Sequence, residues 1–104
     1  MARMVVIYKM PEDPVAFDQH YFEVHVPLAK QLKGLRKYEV SRGPIVRPAS
    51  GPAFHMVATL YFDSLAAIGA AFATPEGQAC AADRRLLAPK DDDLIMLLFD
   101  DREV

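Results

Sequence analysis

Apolar residues run almost unbroken through residues 3–10, Arg-Met-Val-Val-Ile-Tyr-Lys-Met. Such a β-branched and aromatic run predicts a first strand buried on both faces. Pro11-Glu12-Asp13-Pro14 then stops the strand and starts a helix, with Asp13 as N-cap and Pro14 at the first helical position, where its missing N–H is harmless. Beyond it Phe17, Tyr21, Val24 and Leu28 recur at four, three and four residues, the period of one buried helical stripe. Phe22 and Val26 fall on the far side as an i, i+4 pair, either a subunit contact or scattered surface hydrophobes. Gly34 is expected to close the helix in the left-handed conformation.

Leu35 to Gly43 reads as a second strand. Pro44 to Pro52 reads as a loop, because three prolines in nine residues do not fit a sheet interior. Ala53 to Asp63 predicts a third strand, with Phe54, Met56, Ala58, Leu60 and Phe62 on one parity and His55, Val57, Thr59 and Tyr61 on the other. Ser64 caps a second helix carrying Leu65, Ile68 and Phe72, and Thr74-Pro75-Glu76 restarts a further helical segment. Eight alanines between positions 66 and 82 leave these helices little side-chain volume, so they either approach a sheet closely or leave space above it. Leu94-Ile95-Met96-Leu97-Leu98-Phe99 has the continuous apolarity of a central strand covered on both faces.

The order strand, helix, strand, strand, helix, strand is the split βαβ pattern: an α+β, ferredoxin-like βαββαβ domain, with both helices on one face of a four-stranded antiparallel sheet. One such layer leaves the other sheet face bare. The first and last strands are too apolar to face water, which predicts a homodimer joined sheet against sheet.

Length and composition place residues 1–104 in one globular domain, 52% hydrophobic and 25% charged. Twelve basic against fourteen acidic residues give a net charge of -2, which offers no attraction to nucleic acid or an anionic membrane. A single cysteine, Cys80, rules out an internal disulfide and fits a reducing cytoplasm. Neither a signal segment nor a membrane span is expected.

Candidate chemistry centres on His25, two residues before Pro27 and beside the predicted stripe. A proline at 27 cannot donate to the carbonyl of Glu23 and biases Val26 away from helical geometry, so the backbone there should have loosened hydrogen bonds. An imidazole in such a place serves as a general acid and base, or is a boundary histidine satisfied by a carbonyl or water. On a regular helix His20 and His25 stand roughly 140° apart, which predicts no shared metal site. Tyr8, Tyr21, Tyr38 and Tyr61 combine an apolar body with a hydroxyl tip suited to holding a phenol or carbonyl; His55 is a further candidate, and Asp83 is placed to orient an imidazole. No phosphate-binding glycine loop, GxSxG or HExxH is present.

The unit His25-x-Pro27-Leu28-Ala29, followed by Gly34-Leu35-Arg36-x-Tyr38, resembles the EthD family, named for ethyl tert-butyl ether degradation. Val6-Ile7-Tyr8-Lys9-x-Pro11, Thr74-Pro75-Glu76-Gly77 and Asp83 fit the same family. The resemblance implies a dimeric α/β barrel, two ferredoxin-like subunits joined through their sheets, often with a pocket between sheet and helices. Relatives of that fold include cofactor-free monooxygenases, cyclases, decarboxylases, muconolactone isomerase and haem-binding enzymes. The expectation is a hydrophobic pocket for a small apolar aromatic or carbonyl compound, with His25 as general base, Tyr21, His55, Tyr61, Tyr8 and Asp83 around the substrate, and no metal or cofactor. A non-catalytic binding or accessory protein and a haem-binding protein are the alternatives.

Overall fold

A computed structural model describes residues 1–104. Four strands, β1 (Ala2–Lys9), β2 (Lys37–Val40), β3 (Phe54–Phe62) and β4 (Leu94–Asp100), form one sheet in the order β2-β3-β1-β4. Every neighbouring pair is antiparallel. Helices α1 (Pro14–His20), α2 (Val26–Ala29), α3 (Leu65–Ala73) and α4 (Pro75–Leu87) complete the ferredoxin-like α+β fold. No helix is long and apolar enough to cross a membrane.

Strand parity decides which face meets the helices. Ala2, Met4, Val6 and Tyr8 of β1 and Met56, Ala58, Leu60 and Phe62 of β3 are all buried, each at most 8% exposed. Partners opposite one another share a face, so Met96 and Leu98, opposite Val6 and Met4, also point to the helices. The other parity forms the bare face, with Val5, Ile7, Ile95, Leu97 and Phe99 at one side and Arg3, Glu39 and Tyr61 at the other. β4 is thus an edge strand whose apolar residues from Ile95 to Phe99 are exposed in the single chain, not the covered central strand its apolar run predicts. Apolarity of this kind reports the need for cover, and the covering surface can belong to another chain.

Local chemistry sets the helix starts as expected. Asp13 accepts from the backbone N–H of Ala16, Ser64 from that of Ala67, and Thr74 from that of Gly77; each cap is typically worth ~1 kcal/mol. Gly34 has φ of 83° and turns the chain from the helical layer towards β2. β2 itself is shorter than the apolar pattern predicts, beginning only at Lys37 and ending at Val40.

The main departure lies between α1 and α2, where Tyr21–His25 form a π-helical turn. The Val26 N–H bonds the carbonyl of Tyr21, five residues back. Pro27 explains the widening: its ring would press on the carbonyl of Glu23, and it has no N–H to give that carbonyl. Val26 nevertheless keeps helical angles, φ −58° and ψ −47°, contrary to the bias expected of a residue before proline. The extra residue rotates everything after it by about 100° relative to a regular helix. As a result the buried stripe is Phe17, Tyr21, His25, Ala29 and Leu32, while Val24 is exposed and Leu28 only half-buried.

Candidate functional site

Between the helical layer and the sheet lies a cavity of about 410 Å³. Its existence follows from small side chains: Ala29, Ala58, Gly69 and Ala81 line it where bulkier residues would have filled it. Met4 and Val6 of β1, Leu60 of β3, Met96 and Leu98 of β4, and Leu65, Ile68 and Phe72 of α3 form its apolar walls. Polar groups reach it from both layers, through Tyr8 and Tyr38 of the sheet and Tyr21, His25 and Arg84 of the helical layer.

His25, 6% exposed, is brought to the wall by the π-turn. Behind it stands Asp83, also 6% exposed, on the inner face of α4 with Gly77 and Cys80. His25 Nδ1 lies 2.9 Å from Asp83 Oδ2, and His20 Nε2 lies 2.8 Å from Asp83 Oδ1. A carboxylate can only accept, so His25 donates its Nδ1–H to Asp83 and keeps Nε2 as a free lone pair. No protein group bonds that Nε2. Burial lowers the pKa of His25 below the ordinary 6.5, and it outweighs the upward pull of the Asp83 hydrogen bond and charge. The imidazole is therefore neutral at neutral pH. In that form it accepts a proton, with Asp83 ready to stabilise the imidazolium that results.

The tyrosines form the adjoining polar rim. Tyr21 and Tyr38 hydroxyls share a hydrogen bond of 2.5 Å. Burial pushes the Tyr38 phenol up to about 12 and raises Tyr8 and Tyr21 further, so all three remain protonated. Tyr8 is 1% exposed and its hydroxyl has no protein partner, yet no sealed side-chain polar atom is left unsatisfied; the hydroxyl accordingly opens to the cavity. Tyr8 packs edge-on against Tyr21 at 5.9 Å, and the Tyr21 ring lies 5.1 Å from that of His25. Cys80 also lines the cavity, where burial pushes its thiol up to about 11 and keeps it from being a thiolate.

Of the residues singled out from sequence, His25, Tyr21, Tyr8 and Tyr38 meet at this cavity, with Asp83 immediately behind. His55 and Tyr61 do not join them. Tyr61 has the odd parity of β3, whereas His55 is the extra residue where the register shifts, Tyr8 pairing with Met56 and Lys9 with Phe54, and its ring stands edge-on to Phe17 of α1. His55 bonds Asp18 at 2.6 Å beside a second depression of about 740 Å³, while Tyr61 donates to Glu39 on the bare sheet face under the Arg3 guanidinium. Arg84 and His20 belong to the site without having been singled out for it. The π-turn accounts for His20: by joining i to i+5 it brings His20 and His25 onto one face, where a regular helix would set them roughly 140° apart. No three His, Cys, Asp or Glu side chains are grouped to hold a metal ion.

Residues 9–90 match the model of the EthD domain. An uncharacterised 11.0 kDa protein from the thcB-thcC intergenic region of Rhodococcus erythropolis is 38% identical over 103 residues, 99% of this chain and 96% of its own. An ethyl tert-butyl ether degradation family protein from Bacillus halodurans superposes with a TM-score of 0.86 at 30% identity, covering 98% of this chain and 99% of that one. At lower identity the fold alone is shared. A cofactor-independent oxygenase, SnoaB, from Streptomyces nogalater gives a TM-score of 0.66 at 18% identity, over 99% of this chain and 94% of that one. A dimeric ferredoxin-like protein of unknown function from Thermobifida fusca gives 0.67 at 16% identity, over 94% and 88%.

Proposed function

The chain belongs to the EthD family, and from that premise we propose that it binds a small apolar aromatic or carbonyl compound between sheet and helices and moves a proton on it with His25. One observation carries this reading: a buried, neutral imidazole, its tautomer set by Asp83, presents a free Nε2 at the wall of an apolar cavity. Abstraction of a proton next to a carbonyl breaks a C–H bond, forms N–H on Nε2 and leaves the electron pair delocalised onto the carbonyl oxygen. Such a step opens isomerase, cyclase, decarboxylase or oxygenase chemistry, and it asks for no cofactor. SnoaB, with the same fold, is described as a cofactor-independent oxygenase.

Hydrogen–deuterium exchange into β-tetralone, an apolar ketone small enough for the cavity, tests the proton transfer directly. In deuterated buffer at neutral pH the protein is expected to speed exchange at the α-carbon, and His25→Gln to slow it by about a hundredfold or more. Equal exchange by both proteins sinks the general-base role. The apolar lining by itself also suits a non-catalytic carrier, and binding of β-tetralone without accelerated exchange selects that second reading.

We further propose that the working unit is a homodimer. Support comes from the exposed Ile95, Leu97 and Phe99 beside Val5 and Ile7 on the bare sheet face, and from dimeric proteins of the same fold.

A further inference from the structure

Arg84 is a cation without an anion. It sits half-buried in the last turn of α4 and lines the cavity, yet no carboxylate pairs with it. Its one hydrogen bond runs from a terminal nitrogen to the carbonyl of Ala88 at 3.2 Å, leaving the other nitrogens of the fork without a protein acceptor. Asp83, its neighbour in sequence, is taken at both oxygens by His20 and His25. Service to the helix terminus accounts for the Ala88 bond alone, and the exposed Arg85 in the same turn serves the helix dipole without entering the cavity. Setting an unpaired guanidinium against a largely apolar chamber with no anionic side chain in its lining is costly unless something in the chamber answers its charge.

The geometry points to a ligand that does so: we propose that Arg84 binds a negatively charged oxygen on the apolar compound in the cavity, with the Tyr8 hydroxyl as a second donor. The ligand class is thereby narrowed to apolar molecules bearing an oxyanion, whether carried in as a carboxylate or phenolate or formed as an enolate when His25 takes the proton. The inference rests on the proposed use of this cavity for ligand binding. It adds a charge requirement to that use. The positive charge of Arg84 also acts on both His25 and Tyr8, lowering the pKa of each against the stronger effects of burial and, for His25, the Asp83 contact. An enolate formed on the ligand as Nε2 takes its proton would thus develop within the field of the guanidinium, where charge stabilisation is worth most.

Two fluorescent probes of similar shape separate the cases: anilinonaphthalene sulfonate, which is anionic, and N-phenyl naphthylamine, which is neutral. Histidine ring signals in NMR show whether each enters beside His25. The wild type is expected to bind both there. Arg84→Gln should weaken the sulfonate about tenfold or more while leaving the neutral amine within about twofold. Arg84→Lys should recover part of the loss, and Arg85→Gln should change neither affinity. Equal weakening of both probes by Arg84→Gln, or of neither, overturns the anion role and leaves the cavity reading standing. Failure of both probes to perturb the His25 ring overturns both readings. Should Arg84→Gln not fold, Arg84→Lys decides: a sulfonate affinity unchanged beside the wild type while the neutral probe weakens is incompatible with guanidinium recognition of the anion.

Discussion

His25 works through its neighbours, and each neighbour makes a separate demand that can be measured. Asp83→Asn exchanges a two-way acceptor for a group that accepts at one atom and donates at the other, so one of His20 and His25 must either lose its partner or switch to the tautomer that accepts. We expect a stability loss of about 1–3 kcal/mol in urea unfolding, and exchange into β-tetralone reduced as in His25→Gln. Unchanged exchange would remove Asp83 from the orienting role. A second demand concerns protons. Because the folded chain holds the pKa of His25 below the ordinary 6.5, the unfolded chain takes up a proton that the folded one refuses as pH falls through that value. This group therefore contributes no pH dependence above about 6.5, a loss of stability as acid is added below it, and a plateau once the folded state also protonates. Urea midpoints at pH values on either side of 6.5 should diverge less in His25→Gln than in the wild type; equal divergence would show that His25 is not held neutral. The chemistry of the site was legible in the sequence wherever residue type alone carries it, at His25, Tyr8, Tyr21 and Asp83. Its pairings were not, because Asp83 reaches His25 across 58 positions, parity turns Tyr61 to the bare face, and a shift of register in β3 takes His55 to Asp18.

At the level of elements, strand and helix identity follow from periodicity and punctuation, and the starts at Pro14, Leu65 and Pro75 fall where caps and first-position prolines put them. What periodicity misses is a change of period. A count based on 3.6 residues per turn assigns Val24 and Leu28 to the core, whereas the π-turn ahead of Pro27 hands those places to His25 and Ala29. The same proline that gave a reason to expect disturbed hydrogen bonding is the reason the histidine is buried. A second element-level constraint sits where α3 meets α4. A Cβ added at Gly77 would run into the backbone of Ala71 and Phe72, atoms that no side-chain rotation can move. Gly77→Ala is expected to cost about 1–3 kcal/mol or more in chemical denaturation and to open the angle between the helices that roof the cavity. A loss of only a few tenths would mean that the helix pair gives way easily. Gly69→Ala on α3, where nothing lies within 4 Å of the added carbon, is the matched control and should be close to neutral or slightly stabilising in the helix.

Taken as a whole molecule, the single chain is an unfinished layer. The sheet covers one face with helices and leaves the other with an apolar half, Val5, Ile7, Ile95, Leu97 and Phe99, and a charged half around Arg3, Glu39 and Tyr61. Strand hydrophobicity announced that a cover was needed. By itself it does not tell a cover within the chain from one on another chain; the element order, which puts both helices on one face of the sheet, is what assigns the cover to a second chain. The two faces of β4 also tie assembly to the site: Leu97 and Phe99 point to the bare face while Met96 and Leu98, between and beside them, wall the cavity. An edge strand held on only one side is free to fray, and fraying would open the chamber. Leu97→Glu places a charge in the middle of the apolar half and should convert a species of twice the chain mass into monomer in light scattering, while Val15→Glu, at an exposed helical position, should leave the mass unchanged. The monomeric variant is also expected to bind β-tetralone more weakly, though no residue of the cavity wall has been touched. Full binding in a monomer would confine the pocket to one chain's own stability, and a wild type of single-chain mass would leave the apolar face of β4 without a cause.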